Sequence, residues 1–260
     1  MVIRSAFKLT TRLHRSPTGR RALCTPSSLV TTQQHGDVAL LRMDDGKMNA
    51  FSFSMITTLH RALDEAECAG SVVLTGNQRC FSAGFDLNVM GKGPSADAGR
   101  LLEEGGKLLF RLLTFPRPVV LAAPGHSMAL GAIVLLAGDL RIGCSGLTKC
   151  KVGLNEVRIG MPMPRFGMEM ARWRMSPRHL TRAVTLGQLY TPEEAVDVGY
   201  LDVLVSPDHL DAHALAAAQE LSPLGMGNRK AFIMTKMADR GAMLEKCRQL
   251  VLQDVADFTA

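Results

Sequence analysis

The longest apolar stretch of the chain runs from Pro118 to Gly138 and is interrupted near its middle by Pro124, Gly125 and His126. Its length alone would permit a membrane span, but a proline–glycine turn in the middle breaks a spanning helix. A buried strand, a turn and a helix that is apolar on all sides fit the same residues. We therefore predict an interior strand–turn–helix unit and no membrane span, and the rest of the chain has to enclose this unit.

Short apolar runs around this unit indicate buried strands. Strands are predicted at four places: Val38 to Met43, Ser71 to Thr75, Val119 to Ala123 and Asp139 to Gly143. Between the strands, the spacing of apolar residues predicts three helices. They cover 55–67 with Ser54 as the cap, 101–114 after a loop rich in Gly and Ser at 91–99, and 127–137.

Beyond Lys151 the pattern changes from strands to helices. Helices are predicted over 164–175, 178–187, 192–198, 207–220 and 226–257. Strands that alternate with helices and are followed by a helical tail indicate an α/β fold with a helical C-terminal part. We place the core at 37–190 and the helical region at 191–260. A chain of 260 residues is long enough for one large domain with its own core.

The net charge of +6 comes from the N-terminal end of the chain. Residues 1–36 contain no acid and all of the excess positive charge: Arg4, Lys8, Arg12, Arg15, Arg20 and Arg21. The remainder is neutral, which argues against a nucleic-acid partner. An acid-free end with Arg, Ser and Thr is typical of a mitochondrial transit peptide. We assign 1–28 to such a leader and the protein to the mitochondrial matrix; a basic tail without targeting function, or a peroxisomal or cytoplasmic location, is the alternative.

The cysteines and histidines do not have the spacing of metal ligands. The chain has six cysteines and seven histidines, and it contains no C-x-x-C pair. We therefore expect free thiols in a reducing compartment, with neither a disulfide framework nor a metal site.

The first of three segments suited to chemistry is Phe81-Ser82-Ala83-Gly84-Phe85-Asp86-Leu87. Gly84 removes a side chain where the backbone has to approach another group closely. The amide of Phe85, directly after it, is then free to point into a cleft. A tight turn after a strand accounts for the same residues equally well, and we expect Asp86 to bond to the amides of its own turn.

The second segment is Gly125-His126-Ser127-Met128-Ala129-Leu130-Gly131-Ala132, which links a buried strand to a buried helix. Amides at a helix N-terminus have no intrahelical partner and carry partial positive charge, so they can hold an oxyanion. Close packing of the helix on a sheet also requires small residues, so the segment alone does not decide. No acid at a fixed spacing supports a catalytic role for His126, which we expect to shape the turn.

The third segment runs from Lys151 to Pro164 and places Glu156 in an apolar run flanked by Gly and Pro. Apolar surroundings raise the pKa of a carboxyl group toward the range useful for proton transfer. A surface position, or an ion pair with Arg158, is the alternative. If residues 156–158 are extended, both side chains share a face and Arg158 weakens the base; a helical turn separates them.

In this order and spacing the three segments resemble the crotonase (enoyl-CoA hydratase/isomerase) family, over about residues 37–257. The resemblance implies a ClpP-like spiral of ββα units in two stacked sheets, with a helical C-terminal region that forms trimers. It implies an acyl-CoA thioester as the substrate, so that no separate cofactor is needed, and a homotrimer or hexamer as the assembly. Candidates for contact with the CoA phosphates are Lys92, Lys230 and Lys236.

The resemblance also assigns roles to residues. The amides of Phe85 and Leu130 would bind the thioester carbonyl oxygen and stabilise the enolate that forms on proton removal, and Glu156 would be the catalytic carboxylate. The substrate-binding residues implied by the two glycine-containing segments are Ser82, Ala83, Gly84, Phe85, Asp86, Leu87, Leu130 and Gly131.

One departure from the pattern of the family's hydratases bears on the reaction. Those hydratases hold water with two glutamates, and the first of them aligns with Ile133. A site with one carboxylate is poorly equipped to add water but can move a proton between two carbons. The family's Δ3,Δ2-enoyl-CoA isomerases resemble this chain at both places, which implies an isomerase of fatty-acid β-oxidation.

The sequence leaves other functions open. A second enzymatic interpretation is another single-carboxylate member of the family, either an enoyl-CoA hydratase of altered mechanism or an acyl-CoA hydrolase. An interpretation from a different class is a non-catalytic acyl-CoA binder. Replacement of Glu156 separates them, because an enzyme would lose turnover and keep binding, whereas a binder would change little.

Overall fold

The computed structural model describes residues 28–259, and the predicted leader at 1–28 therefore lies, apart from Ser28, outside the described residues. Nine strands are present in this part of the chain: β1 Val30–His35, β2 Val38–Met43, β3 Ser71–Thr75, β4 Cys80–Ser82, β5 Val119–Ala123, β6 His126–Met128, β7 Leu140–Cys144, β8 Val152–Gly153 and β9 Val203–Val205. They form a six-stranded sheet in the order β1-β2-β3-β5-β7-β9 and a three-stranded sheet in the order β4-β6-β8.

The α-helices are distributed along the chain between and after the strands. Their bounds are α1 Phe53–Ala66, α2 Leu87–Met90, α3 Ala96–Thr114, α4 Leu130–Leu136, α5 Arg165–Arg174, α6 Pro192–Val198, α7 Leu210–Met226 and α8 Arg229–Thr259. Shorter helical turns cover Val157–Ile159, Pro177–His179, Thr181–Thr185 and Pro207–His209.

The central strands of the large sheet, β2, β3, β5 and β7, are buried on both faces because their side chains alternate between two cores. Val38 and Leu40 of β2 lie in one cluster with Leu210 and Ala214 of α7. Ala39 and Leu41, which alternate with them, belong to the other, larger cluster, which includes buried residues of α1, α3 and α4. This explains the nearly continuous apolar runs, which are typical of parallel strands covered on both sides.

Each turn of the fold contributes one strand to each sheet. β3, β5 and β7 pair in parallel in the large sheet, and each is followed within a few residues by β4, β6 or β8 of the small sheet. Helical segments then return the chain to the next turn. This is the predicted spiral of ββα units in an α/β fold, and the predicted fold class is confirmed.

Several local predictions were wrong in their bounds. The apolar helix predicted over 127–137 begins at Leu130, because Ser127 and Met128 pair with Val152 and Gly153 as a strand. Ser52 caps α1 instead of Ser54, since its hydroxyl accepts the amide of Met55 at 3.2 Å.

The C-terminal helices lie against the core, and α8 packs along α3 and α5. One strand, β9, lies within the predicted helical region 191–260 and extends the large sheet beside β7. The division at residue 190 and the assembly of trimers through this region stay predictions. None of the helices between residues 28 and 259 combines the length and the apolar character that crossing a membrane requires.

A buried cluster of ion pairs connects α8 to the large sheet. Asp139, just before β7, bonds to Lys236 at 2.8 Å and to Arg240 at 2.6 Å, and its carboxylate also accepts the amide of Val119. Burial lowers the pKa of Lys236 to about 8. Lys236 was a candidate for CoA phosphate binding, and this position contradicts it because the ammonium group is committed to Asp139 inside the fold.

We predict that Asp139→Asn destabilises the protein by about 3–5 kcal/mol, because it leaves the two cations buried without their counter-charge. Urea unfolding measures the difference, with the exposed Asp208→Asn as the matched control. Equal unfolding midpoints for the two variants would show that the cluster does not stabilise the fold.

Candidate active site

The segment after β4 turns at Gly84 and exposes one backbone amide. Gly84 has φ +98°, a left-handed conformation that favours glycine. Phe51 donates its amide to the carbonyl of Gly84 at 2.8 Å and accepts the amide of Asp86 at 3.3 Å. In such a pairing the residue in between turns its amide away from the partner strand. The amide of Phe85 accordingly has no acceptor in the described part of the chain.

The segment after β6 presents a second free amide. Leu130 is the first residue of α4, so its amide has no partner within the helix, and no other acceptor occurs among residues 28–259. The preceding Ala129 has φ 50° and ψ −126°, a conformation that L residues rarely adopt. Such strain costs on the order of 1–3 kcal/mol and is found at functional sites. Ala129 is held there through its own amide, which donates to Gly153 of β8 at 3.0 Å.

Two glycines let these segments touch. A methyl group placed on Gly84 would lie 2.7 Å from the Cβ of Ala129 and 3.2 Å from the amide nitrogen of Leu130. One placed on Gly131 would lie 2.4 Å from the carbonyl oxygen of Ser82. The backbones therefore meet at a distance that only glycine permits, and the amide nitrogen of Leu130 lies next to the turn at Gly84.

A cavity of about 160 Å³ opens beside this contact. Its walls include Ala83, Phe85, Leu87, Met128, Ala129, Ile133 and Glu156. The structure thus brings Glu156 together with the residues around Phe85 and with Ala129, which precedes Leu130. These segments lie far apart in the sequence, and the predicted site requires them to meet.

The remaining predicted binding residues have packing or turn contacts. Ser82 donates its hydroxyl to Asn49 and accepts the amide of Gly84. Asp86 caps α2 by accepting the amide of Asn88 at 2.9 Å, as expected for an acid in a turn. The side chain of Leu130 is buried against Gly105 of α3 beside the ring of Phe85, so only its backbone is available for binding.

Glu156 is the carboxylate of the cavity. It follows β8 and precedes the turn Val157–Ile159, and it is 6% exposed. One of its side-chain oxygens has no hydrogen-bond partner in the described residues. Burial raises the pKa of Glu156 to about 7, against a weaker opposing effect of a backbone hydrogen bond. A carboxyl with this pKa exchanges protons readily at neutral pH.

Arg158 does not neutralise this carboxylate. The helical turn at Val157–Ile159 directs the Arg158 side chain away from Glu156, and its Nε donates to the carbonyl of Gly187 at 2.6 Å. Of the two arrangements that the sequence left open, the helical one is present.

A pair of tyrosines close to Glu156 was not predicted from the sequence. Tyr190 and Tyr200 flank α6 directly outside its capping residues Thr191 and Gly199, and their ring centroids are 6.2 Å apart. Burial raises the pKa of Tyr200 well above its usual value, and the Glu156 charge raises it further. The capping box of Thr191 and Glu194 signals the start of α6 but not the approach of Tyr200 to Glu156.

His126 takes no part in this cavity. The Nδ1 of His126 accepts the amide of Lys151 at 3.1 Å, which supports the pairing of β6 with β8. Within residues 28–259, no group of three or more His, Cys, Asp or Glu side chains is arranged to hold a metal ion.

A ββα spiral with two free backbone amides beside a cavity that holds a buried carboxylate is typical of enzymes that act on acyl thioesters through an oxyanion hole. The sequence profile of the enoyl-CoA hydratase/isomerase family matches residues 33–256, and the chain belongs to this family.

Relatives named as isomerase and as hydratase are both similar to the chain. The mitochondrial enoyl-CoA delta isomerase 1 of Mus musculus is 28% identical over 93% of this chain and 84% of its own length. The apo structure of an enoyl-CoA isomerase from Mycobacterium tuberculosis has a TM-score of 0.83 and 33% identity, with 89% of this chain and 100% of that chain covered. A structure named enoyl-CoA hydratase, from Mycobacterium marinum, has a TM-score of 0.82 and 34% identity, covering 88% and 99%. These names do not choose between the two reactions.

We predict that Gly84→Ala destabilises the protein by about 1–3 kcal/mol more than Gly46→Ala, because overpacking adds to the backbone strain. Both glycines have positive φ, +98° and +74°, but Gly46 has open space where the methyl group would go. Chemical denaturation of both variants measures the difference. An equal loss at the two positions would contradict the close contact between Gly84 and Ala129.

Proposed function

We propose that this protein is a Δ3,Δ2-enoyl-CoA isomerase. The observation that carries the proposal is a single buried carboxylate, Glu156, in an apolar cavity beside two free backbone amides. Ile133 lines the same cavity and is 1% exposed, so an apolar side chain stands where a second carboxylate would be needed to hold water.

In the proposed mechanism, the amides of Phe85 and Leu130 donate hydrogen bonds to the thioester carbonyl oxygen of a 3-enoyl-CoA. Glu156, as the carboxylate, removes a proton from C2, and the electron pair delocalises over C2 to C4 and the thioester oxygen. The resulting dienolate is stabilised by the two amides, each of which is worth about 3 kcal/mol in comparable oxyanion holes. Glu156 then returns the proton to C4, which leaves the double bond between C2 and C3.

The environment of Glu156 suits both the removal of the proton from C2 and its return to C4. A base that gives back the same proton needs a pKa near the working pH, since a stronger or weaker acid would favour one half only. The pKa of about 7, raised by burial, satisfies this. No separate cofactor enters the proposal, because each step needs only a proton and the thioester of the substrate itself.

We place the reaction in the mitochondrial matrix and in the β-oxidation of unsaturated acyl chains. The support is the acid-free, arginine-containing N-terminus and the similarity to an enoyl-CoA delta isomerase 1 that is named mitochondrial. The fusion of residues 1–36 to a fluorescent protein tests the location, and a diffuse cytoplasmic signal would contradict it.

We predict that Glu156→Gln lowers kcat for trans-3-hexenoyl-CoA by at least about 100-fold, since general acid–base groups contribute about 10²–10⁴-fold. The conversion to trans-2-hexenoyl-CoA is followed by chromatography with the full chain. Glu65→Gln, an exposed glutamate, is the matched control.

Each other outcome of this experiment identifies another function. Hydration of trans-2-hexenoyl-CoA would show that a different group replaces the second carboxylate and that the protein is a hydratase. Release of free CoA would identify a hydrolase. Binding of acyl-CoA without turnover of either substrate would identify a non-catalytic binder.

We predict that kcat/KM falls about tenfold per pH unit below a pKa of about 7, because the base must be deprotonated in the free enzyme. Above that pH the rate is constant. Arg158→Gln is expected to leave the apparent pKa in place, since the Arg158 side chain bonds to Gly187 and not to Glu156. A pKa that rises by a unit in this variant would show that Arg158 acts on the base after all.

A further inference from the structure

Four polar side-chain atoms around Glu156 are buried without a hydrogen-bond partner among the described residues. They are the Oε2 of Glu156, the Oδ1 of Asn155 and the hydroxyls of Tyr190 and Tyr200. Buried polar groups are normally paired, so each exception calls for an explanation. An ionised carboxylate and an amide oxygen accept hydrogen bonds, whereas a tyrosine hydroxyl donates one, so this group holds two acceptors and two donors.

The backbone of Tyr200 is fixed by the end of α6. Gly199 has φ +101°, and the amide of Tyr200 donates to the carbonyl of Ala195 at 2.9 Å, a way of ending a helix that depends on glycine. The side chain of Tyr200 is fully buried. Its hydroxyl therefore cannot turn toward solvent to find a partner.

The strand that carries Glu156 at its end holds the two tyrosine rings beside it. Tyr190 and Val152 of β8 exchange both backbone hydrogen bonds, each 2.9 Å long, and the ring of Tyr200 lies 6.2 Å from that of Tyr190. The backbone of Leu154, two residues before Glu156, also acts on the Tyr200 hydroxyl. The hydroxyl of Tyr200 is thus close to the chain that leads from β8 into the cavity.

The two tyrosines face different charges. Burial raises the pKa of Tyr200, and the Glu156 charge raises it further. Burial also raises the pKa of Tyr190, but the charges that act on it are those of Arg182 and Glu194. The Tyr200 hydroxyl accordingly stays protonated at neutral pH and is the donor that faces Glu156.

The ionised form of Glu156 has no cation beside it in the described part of the chain. Arg158 is turned to the carbonyl of Gly187, and the other residues that line the cavity carry no charge. A buried carboxylate without a cation is stabilised by hydrogen-bond donors. The Tyr200 hydroxyl has no other acceptor among the described residues and suits this role.

We propose that Tyr200 is a positioning residue whose hydroxyl donates a hydrogen bond to the Oε2 of Glu156 when this carboxyl group is ionised. The inference rests on the proposed isomerase function and adds a residue to it. The two atoms are not bonded to each other in the structure, and the last torsion of a glutamate side chain is soft, so the carboxyl group turns toward the hydroxyl on losing its proton. With one oxygen held by Tyr200, the other is available to the substrate.

The test is the pH profile of kcat/KM for trans-3-hexenoyl-CoA with the full chain carrying Tyr200→Phe. The variant loses a hydrogen bond to a charged group, so we expect the acidic limb of the profile to move to higher pH by about one unit. At pH 7 this shift corresponds to a loss of about fivefold in kcat/KM. KM is expected to stay the same, because the hydroxyl does not touch the substrate.

The matched control is Tyr190→Phe, which removes the same atom from a buried tyrosine that does not face the Glu156 charge. Its pH profile is expected to coincide with that of the unchanged protein. Urea unfolding at pH 6, where Glu156 is protonated, checks the fold, and Tyr200→Phe is expected to keep the unfolding midpoint because its hydroxyl has no partner to lose. An acidic limb that Tyr200→Phe leaves in place, or that both variants move equally, would overturn the proposal.

An infrared titration separates this inference from the proposed reaction, because it needs no turnover. The carbonyl band of the protonated Glu156 carboxyl group is assigned by its loss in Glu156→Gln, and we expect its titration midpoint to rise by about one unit in Tyr200→Phe. If trans-3-hexenoyl-CoA is not isomerised but this rise is measured, the role of Tyr200 stands and the isomerase function fails. Isomerisation together with equal midpoints would give the opposite result.

Discussion

The parallel pairing of β4, β6 and β8 brings together the three segments on which the candidate site depends. Each strand is only two or three residues long, and each is followed directly by one part of the site: Gly84 and Phe85 after β4, Ala129 and Leu130 after β6, and Glu156 after β8. Because parallel strands end at the same edge of a sheet, the register of this small sheet places all three parts side by side. The larger sheet supplies the rigidity, since every strand of the small sheet follows a buried strand of the large one.

Three features of the candidate site lower the free energy of unfolding, and packing elsewhere in the fold has to offset them. Ala129 is held in a strained conformation, two backbone amides remain without partners in the described residues, and Glu156 is buried in apolar surroundings. Each of these features opposes folding by an amount on the order of 1–3 kcal/mol. The two amides and the carboxylate make favourable interactions only when a ligand offers an oxygen to the amides and a proton to the carboxylate. The same features that lower stability therefore prepare the site for a thioester, and the two apolar cores compensate for them.

The sequence predicted the parts of the fold that have a strong pattern. The buried strands at Val38, Ser71 and Val119 were found because continuous apolar runs of this length are typical of strands covered on both faces, and the order of the three motifs indicated the family. β1 was not predicted because Val30–His35 is polar and mostly exposed. The strands of the small sheet were missed because two or three residues do not show a period, and the pairing of Ser127 and Met128 was interpreted as the start of a helix.

The predicted roles of Phe85 and Leu130 depend on backbone groups alone and stay predictions. The resemblance to the family implied both of them, and neither amide has an acceptor between residues 28 and 259. The surroundings of the Glu156 carboxyl group could not be predicted from the sequence. Whether Arg158 faces it depends on one helical turn, and Tyr200 comes from a segment 44 positions later. Such contacts between distant segments have no signature in local sequence.

The absence of a second carboxylate at Ile133 is connected to the packing of the whole helical layer. A methyl group placed on Gly167 of α5 would lie 2.7 Å from the terminal carbon of Ile133 and equally close to that of Met163, so these three residues interlock where α4 meets α5. A glutamate at position 133 would have to direct its charge into this apolar contact or into the cavity beside Glu156. Two carboxylates in one buried site repel each other, so the pKa of one of them is raised strongly. The apolar packing at Ile133 therefore supports the proposed reaction, in which one base both removes and returns the proton.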